Sequence, residues 1–345
     1  MRKTYQIIGM MCMAALLAIG ATSCKKENSK VVSSFGFKLP AVEGESPLAE
    51  EKAYLDLTDN KMKWYDGDLI RVYSIDGDWT QSKSEVYFAQ SGITGQTEAY
   101  FGGTPLVEGS LGYFAFYPAS KSSATIEEGN RAYFNVGNTQ KHTTDLFAGT
   151  GYDNLIFMDP TCIVAAATCD VIEPHVVASL KHIFGFVTVR LKDTDNSGKK
   201  VTKVTIKDSQ LHLTGSISIE IPKLTETILN NMKSLGQQYK AGTDDIANTY
   251  AATLNNYLHQ IGYLSDPDGD EVTLDCTATG GVLINNSYKF FFMPIRPGAL
   301  MKGFTVTLTY DDNNTKTYTV PADKKYITIP GTYTNVSINL ASGVL

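Results

Sequence analysis

Histidines and clustered carboxylates are the residues of this sequence best suited to chemistry, as metal ligands or as general acids and bases. The five histidines show no metal-ligand spacing and no HExxH pair (His142, His175, His182, His212 and His259). The segment Asp266–Glu271 is as rich in carboxylates as a calcium loop, but it lacks the regular ligand ladder and the distal bidentate glutamate of an EF-hand. We therefore expect an acidic turn that leads into a strand at Glu271, and no metal site.

Motifs for catalysis or for nucleotide binding do not occur in the sequence. There is no GxSxG elbow, P-loop or GxGxxG segment, and no Ser/His/Asp grouping can be nominated. Aromatic residues are abundant, with 19 Tyr, 15 Phe and 2 Trp, and most alternate with polar residues in a way that favours core packing. Trp79 differs because it lies in a turn-rich loop, where it could be exposed as a binding aromatic. The sequence thus predicts a protein that is not an enzyme and needs no cofactor.

The first 24 residues predict export from the cytoplasm. After a positively charged start, Ile7–Ala21 is apolar but shorter than the ~20 residues that a membrane-spanning helix requires, so it is typical of a secretory leader. Small residues then precede Cys24, which resembles the lipobox of bacterial lipoproteins. On this interpretation residues 1–23 are the signal peptide and Cys24 is acylated; the alternative is a plain signal peptide cleaved nearby.

The charge balance limits the classes of partner. The chain has a formal net charge of −6, which gives no electrostatic basis for binding nucleic acid or an anionic membrane surface. We expect contact with a membrane only through the lipid on Cys24.

Short strands separated by Gly, Asn, Asp and Ser clusters dominate the rest of the chain, which is the spacing of a β-sandwich or barrel. In the first of them, period-two alternation places five residues on one side (Val31, Ser33, Phe35, Phe37 and Leu39) and Lys38 on the other. Further strands are predicted at Ala53–Leu57, Leu69–Ile75, Glu85–Ala89, Glu98–Phe101, Tyr113–Tyr117, Ala132–Val136, Leu155–Met158, Val176–Leu180, Phe186–Leu191, Thr202–Ile206, Ser216–Ile221, Glu271–Cys276, Tyr288–Met293, Phe304–Tyr310, Lys316–Val320, Tyr326–Ile329 and Val336–Leu340.

One segment breaks the all-β pattern. Between residues 223 and 262 the apolar residues recur at three- and four-residue spacings, which predicts a helical hairpin. We therefore expect a tether over residues 24–30, an N-terminal β domain over 31–173, and a C-terminal β domain over 174–345 that carries the helical insert.

Four groups of residues resemble the fimbrillin (Mfa-like, type V pilin) family of Bacteroidales-type bacteria, and their order and spacing cover nearly the whole mature chain. They are Trp64–Tyr73, Gly112–Pro118, Asp145–Ala148 followed by Leu180–His182, and Phe291–Pro294 with the ending Ile329–Leu340. These residues also have a local physical account. Gly67 permits a turn conformation, Asp66 and Asp68 can bond the turn amides, and Trp64 would bury its ring.

The resemblance implies two transthyretin-like β-sandwich domains in tandem, in a lipoprotein of the outer membrane surface that is part of a fimbrium and serves adhesion. In that family a trypsin-like protease removes the first strand of stalk subunits, and the vacated groove accepts a strand from a neighbouring subunit. In this chain Val31–Leu39 would be the removable strand, and other fimbrial subunits would be the partners.

Two departures from the stalk pattern favour an accessory or tip subunit, or an anchor that retains its first strand. No arginine occurs between Cys24 and Arg71, so only lysines such as Lys38, Lys52, Lys61 and Lys63 could be cut there. The chain also shows no long C-terminal donor extension. The other open alternative is a surface glycan-binding lipoprotein of a nutrient-uptake system that uses Trp79.

Overall fold

The structure is a computed structural model, and it describes residues 31–38, 54–56, 61–75, 81–107, 112–117, 119, 125–127, 131–141, 155–156, 165–169, 177–208, 213–220, 226–241, 247–260, 264–297 and 300–343. Over these residues the chain is mostly β, which confirms the predicted fold class at that level. No helix in the described ranges is long and apolar enough to cross a bilayer.

The strands of the first half are β1 (Val31–Lys38), β2 (Tyr54–Asp56), β3 (Lys61–Lys63), β4 (Leu69–Ile75), β5 (Gln81–Ala89), β6 (Glu98–Val107), β7 (Gly112–Tyr117), β8 (Thr125–Glu127), β9 (Arg131–Val136), β10 (Thr139–Lys141), β11 (Leu155–Ile156) and β12 (Ala165–Cys169). Those that follow are β13 (Val177–Ser179), β14 (Lys181–His182), β15 (Gly185–Lys192), β16 (Lys200–Lys207), β17 (Thr214–Glu220), β18 (Leu264–Gly269), β19 (Glu271–Asp275), β20 (Val282–Leu283), β21 (Lys289–Ile295), β22 (Leu300–Lys302), β23 (Thr305–Tyr310), β24 (Thr315–Thr319), β25 (Lys325–Ile327) and β26 (Tyr333–Asn339). The helices are α1 (Glu226–Ala241) and α2 (Ala247–Gln260), with a 3-10 turn at Thr277–Thr279.

The largest sheet has the order β13-β1-β6-β5-β4-β7-β12-β14, so β1 lies inside the sheet. Two further sheets have the orders β10-β19-β16-β23-β24, with β20 also paired to β16, and β11-β21-β15-β26. A fourth has the order β18-β17-β9-β8, and two-stranded pairs join β2 to β3 and β22 to β25.

Two hydrophobic cores share the sheet that contains β15 and β21. All seven residues of β21 are buried, and successive side chains of a strand point to opposite faces. Phe290 and Phe292 therefore belong to the first core, together with Phe186 of β15. Phe291 and Met293 belong to the second core.

Strand pairing also crosses the predicted boundary between residues 173 and 174. β9, β10 and β11 precede this boundary, yet they pair with β17, β19 and β21 respectively. In the opposite direction, β13 pairs with β1.

The two helices pack against each other, and α1 also packs against β25. The contact is close at Gly236, where an added Cβ would lie 2.6 Å from Cδ1 of Ile329. Lys325 of β25 places its Nζ 5.9 Å from the ring centroid of Tyr239 on α1. The absence of a side chain at Gly236 thus allows the helix to approach the end of β25.

One local expectation from the sequence was wrong. Asp266–Gly269 does not form a turn, because these residues lie in β18 and pair with β17. The chain bends at Asp270 instead, and β19 begins at Glu271 as predicted.

Candidate functional site

The backbone of β1 is held by strands on both sides. It runs antiparallel to β6, from Val31 opposite Val107 to Lys38 opposite Glu98, with a shift in register between Val32 and Ser34. It runs parallel to β13, with Phe37 opposite Ala178. Just beyond β13, the amide of Leu180 donates a hydrogen bond to the carbonyl of Lys38 at 2.8 Å. Removal of β1 would therefore leave backbone donors and acceptors on two neighbouring strands without their present partners.

The side chains of Phe35 and Phe37 enter the first core. Phe37 is fully buried and Phe35 is 8% exposed. The Phe35 ring makes edge-to-face contacts with Tyr87 and Tyr113, each at 5.1 Å between centroids. Phe37 meets Phe101 at 5.8 Å. Aromatic pairs in this geometry add to the stability provided by burial alone, so the inner face of β1 is bound by ring contacts as well as by apolar area.

Trp64 connects β1 to the rest of the core, and it is fully buried, as predicted. Its Nε1 donates a hydrogen bond to the carbonyl of Phe37 at 3.2 Å. Its ring meets Phe101 at 4.8 Å and Tyr117 at 5.1 Å. The indole N–H therefore recognises the backbone of β1, while the ring forms part of the surface on which β1 lies.

The turn after Trp64 holds this ring in place. Gly67 has φ of +92°, a conformation that favours glycine. Asp68 accepts hydrogen bonds from the amide of Tyr65 and from the hydroxyl of Tyr117, both at 2.8 Å. Burial, and then the negative charge of Asp68, raise the pKa of Tyr117 well above its ordinary value.

Asp66 bonds a different segment from the one expected. Its carboxylate accepts hydrogen bonds from the amides of Ile93 at 2.7 Å and Thr94 at 3.3 Å, rather than from amides of its own turn. The two aspartates thus stabilise different contacts. Asp68 bonds within the turn, whereas Asp66 bonds the turn to the loop before β6.

Withdrawal of β1 would uncover an aromatic groove between β6 and β13. Its floor would consist of the rings that now contact Phe35 and Phe37, namely Tyr87, Phe101 and Tyr113, with the Trp64 indole beside them. The hydroxyl of Tyr87 donates to the carbonyl of Thr104 at 2.8 Å, and burial raises the pKa of Tyr87 to about 12. Without β1, this groove would combine unpaired strand edges on β6 and β13 with deep apolar contacts.

The lysines considered as protease sites lie in different surroundings. Lys38 ends β1, and its half-exposed ammonium pairs with Glu98 at 2.9 Å. Lys61 and Lys63 lie in β3, opposite Asp56 and Tyr54 of β2. Lys52 lies outside the described residues.

Of the other predicted site residues, the structure describes only some. Val31 and Ser33 belong to the β1 strand. Cys24, Leu39 and Trp79 lie outside the described residues. Within the described ranges, no group of three or more His, Cys, Asp or Glu side chains is arranged to hold a metal ion.

Sequence reasoning missed several residues of this site. Tyr87, Tyr113 and Phe101 were predicted as strand residues but not as the partners of Phe35 and Phe37. No local signal could have identified these pairs, because each joins residues that are 50 or more positions apart in the chain.

A scan of protein-family models finds no match to this chain, and a search among curated proteins finds none either. A search of solved structures does find similar chains. One is a candidate cell adhesion protein from Bacteroides ovatus, with 11% identity, a TM-score of 0.48 and coverage of 91% of this chain and 95% of that chain. Another is a candidate cell adhesion protein from Bacteroides uniformis, with 14% identity, a TM-score of 0.43 and coverage of 90% and 96% respectively.

A third similar structure is the tip fimbrial protein Mfa3 from Porphyromonas gingivalis, with a C-terminal truncation. Its identity is 8%, its TM-score is 0.38, and the match covers 90% of this chain and 95% of that chain. All three chains are described as cell adhesion or fimbrial proteins.

Proposed function

We propose that this chain is a subunit of surface fimbriae that assembles by strand exchange at the β1 groove and serves adhesion. The observation that carries the proposal is the position of β1. Two strands hold its backbone, and Phe35 and Phe37 fill an aromatic core. A strand of this kind can be replaced by another strand that offers the same backbone pairing and large side chains at alternate positions.

Exchange at this groove would be favoured once the original strand is gone. An open groove exposes apolar rings and backbone groups of β6 and β13, and both are costly for the folded chain. A donor strand restores the hydrogen bonds and covers the rings again. Because the whole length of the groove contributes, the resulting subunit contact would be strong and slow to dissociate.

Lys52 is the cut site that fits this role among the four lysines considered. It lies between β1 and β2 in the sequence, so cleavage there would separate β1 and leave β2 with the body of the chain. At Lys38 the carbonyl is engaged by Leu180 and the ammonium by Glu98, whereas a protease needs an extended segment that can leave its neighbours. Cleavage after Lys61 or Lys63 would also separate β2 from the body.

The proposed role also requires that the chain be exported and attached to the membrane. We assign Cys24 as the lipid attachment site, with the body of the chain exposed at the outer membrane surface and an accessory or tip position favoured over the stalk. If β1 is never removed, the same chain would serve as an anchor, because it could offer no groove to another subunit. The intact mass and N-terminal residue of the surface protein distinguish these two roles.

The decisive experiment separates β1 from the body under control. A specific protease site is inserted between Gly44 and Glu45 of the mature chain, and the chain is cut in the presence of a fluorescent peptide with the sequence Val31–Lys38. We expect the cut chain to take up the peptide and to retain it in unheated detergent.

Two controls make this result specific. The uncut chain should not take up the peptide, and a peptide carrying Phe35→Ser and Phe37→Ser should compete poorly with the original. Equal uptake of both peptides, or a cut chain that never releases its own strand, would overturn the proposal. Fluorescence anisotropy and gel mobility give the two readouts.

A further inference from the structure

The helical hairpin contains a cleft that plays no part in the β1 groove. Its volume is about 300 Å³, and it lies between α1 and α2. One wall is formed by Asn231, Ser234, Leu235 and Gln238 of α1, and the other by Tyr250, Thr253 and Tyr257 of α2. These spacings of three, four and seven residues bring each set onto one face of its helix.

The described residues that line the cleft carry no charge. Helix α2 contains no Asp, Glu, Lys or Arg in its 14 residues, which is unusual for a helix that is exposed on one side. A charged ligand would therefore lose its hydration on binding without gaining an ion pair in return, so the cleft favours a neutral ligand.

Two aromatic rings form the α2 wall. Tyr250 and Tyr257 are both partly exposed and lie two helical turns apart, about 10 Å along the axis. An edge-to-face contact with the buried Tyr239, at 5.7 Å between centroids, braces the Tyr250 ring. The wall thus offers two rings at the spacing of a short extended ligand, and one of them is braced by Tyr239.

Amide and hydroxyl groups form most of the α1 wall. Asn231, Ser234 and Gln238 are exposed, and only Leu235 is apolar. Gln238 donates from Nε2 to Oγ of Ser234 at 3.3 Å, which leaves its amide oxygen without a protein partner in the described part of the chain. Carboxamides can donate and accept hydrogen bonds at the same time, as the hydroxyl groups of a sugar do.

We propose that the cleft between α1 and α2 binds a neutral saccharide. A sugar ring has an apolar C–H face that stacks on an aromatic ring and a rim of hydroxyls that bond amides and hydroxyls, and the two walls supply these groups separately. The volume lies at the lower end of the range for small-molecule sites, which suits a short oligosaccharide. A peptide fits less well, because the described lining residues include a single aliphatic side chain and no strand edge.

This inference goes beyond fimbrial assembly and does not require it. The described lining residues all belong to α1 or α2, so saccharide binding and uptake of the β1 peptide can be measured separately on one preparation. Failure of one measurement leaves the other intact.

The test uses the mature chain and an array of neutral gluco-, galacto-, manno-, xylo- and N-acetylglucosamine oligosaccharides, followed by calorimetric titration of the strongest binder. We expect saturable binding that is insensitive to salt, because the described lining residues are uncharged. Tyr257→Ala and Gln238→Ala should each weaken binding at least about tenfold.

Two matched variants serve as controls. Tyr100→Ala removes an exposed tyrosine of β6, and Asn256→Ala removes an exposed amide of α2 that does not line the cleft; both should bind as the original chain does. Gln238 is exposed, so its variant keeps the test decisive if Tyr257→Ala disturbs folding.

The proposal is overturned if no member of the array binds at millimolar concentration, if the two cleft variants bind as well as the controls, or if a peptide library binds the cleft and the saccharides do not.

Discussion

Phe37 is the residue whose burial most directly fixes β1 in place. Its side chain is fully buried, its ring contacts Phe101, and its carbonyl accepts the indole N–H of Trp64. The next residue, Lys38, faces solvent and makes only a half-exposed ion pair. Neighbouring residues of one strand thus contribute very differently to the free energy of unfolding, because successive side chains point alternately to the core and to solvent.

Phe37→Ala should therefore lower the free energy of unfolding by about 3–5 kcal/mol, the usual cost of truncating a buried aromatic residue. Lys38→Ala should change it by less than about 1 kcal/mol, since an exposed ion pair contributes little. Urea unfolding of the two variants and the original chain measures both effects. A similar cost for both substitutions would show that β1 does not lie in the core.

Tyr117 and Asp68 predict how stability depends on pH at the alkaline end. The folded state keeps the proton on Tyr117, because burial and the Asp68 charge raise its pKa, whereas the unfolded chain releases that proton near pH 10. The stabilisation is fully present below pH 10 and is lost as the pH rises above it.

Tyr117→Phe should remove part of this slope above pH 10, although Tyr87 will still contribute. At neutral pH the variant should be less stable by about 1–3 kcal/mol, because Asp68 loses a buried hydroxyl donor. Urea titrations at neutral pH and across the alkaline range provide the measurement. An unchanged slope would mean that the hydroxyl is not buried in the folded protein.

At the scale of elements, β1 and the helical hairpin differ in what holds them. β1 is held by hydrogen bonds on both edges and by ring contacts on one face. The hairpin is held by the contact of α1 with β25 and by the close approach of Gly236 to Ile329, which lies just beyond that strand. The first element is thus part of both a sheet and a core, whereas the second is attached to the β structure through one helix.

A double-mutant cycle tests the helix contact. Gly236→Ala gains about 1 kcal/mol of helix propensity, but its Cβ would lie 2.6 Å from Cδ1 of Ile329, so we expect little net gain. In the Ile329→Val background that methyl group is absent, and the same substitution should stabilise the protein. The expected coupling is at least about 0.5 kcal/mol in urea unfolding.

The matched control for this cycle is Gln237→Ala, because Gln237 is the next helix residue and is exposed. It should show no coupling to Ile329→Val. Equal coupling at both positions would indicate that Ile329 acts on the helix as a whole rather than through the Gly236 contact.

At the scale of the molecule, the sheet with β15 and β21 joins the two cores. Its residues alternate between them, and β10 and β11 from the first half pair with β19 and β21. A division into domains 31–173 and 174–345 would therefore separate paired strands and expose Phe186, Phe290 and Phe292.

A fragment of residues 174–345 tests that division. We expect it to bind a hydrophobic dye and to lack the near-ultraviolet circular dichroism of packed aromatic residues, because its β15–β21 sheet loses the cover of the first core. A chain of residues 31–345 is the matched control and should unfold cooperatively. Cooperative unfolding of the fragment would instead establish 174–345 as an autonomous domain.

Local features of this fold were predictable from the sequence because they depend on how apolar side chains recur over a few consecutive residues. The alternation in β1 predicted that Phe35 and Phe37 are buried, and the three- and four-residue spacings predicted both helices. Asp266–Gly269 was expected to lie in an acidic turn, but these residues pair with β17, and this pairing prevailed over the local preference of Pro and Gly for turns.

The sequence by itself determined that the chain is mostly β, that residues 223–262 contain helices, and that Phe35 and Phe37 of the first strand are buried. Only the tertiary structure decided that β1 lies between β6 and β13, that one sheet serves two cores, and that Tyr250 and Tyr257 face Asn231 and Gln238 across a cleft. The physical reason is that side-chain periodicity is a property of a few consecutive residues, whereas every strand edge offers the same backbone groups. The choice among possible partners is therefore made by packing between residues far apart in the chain.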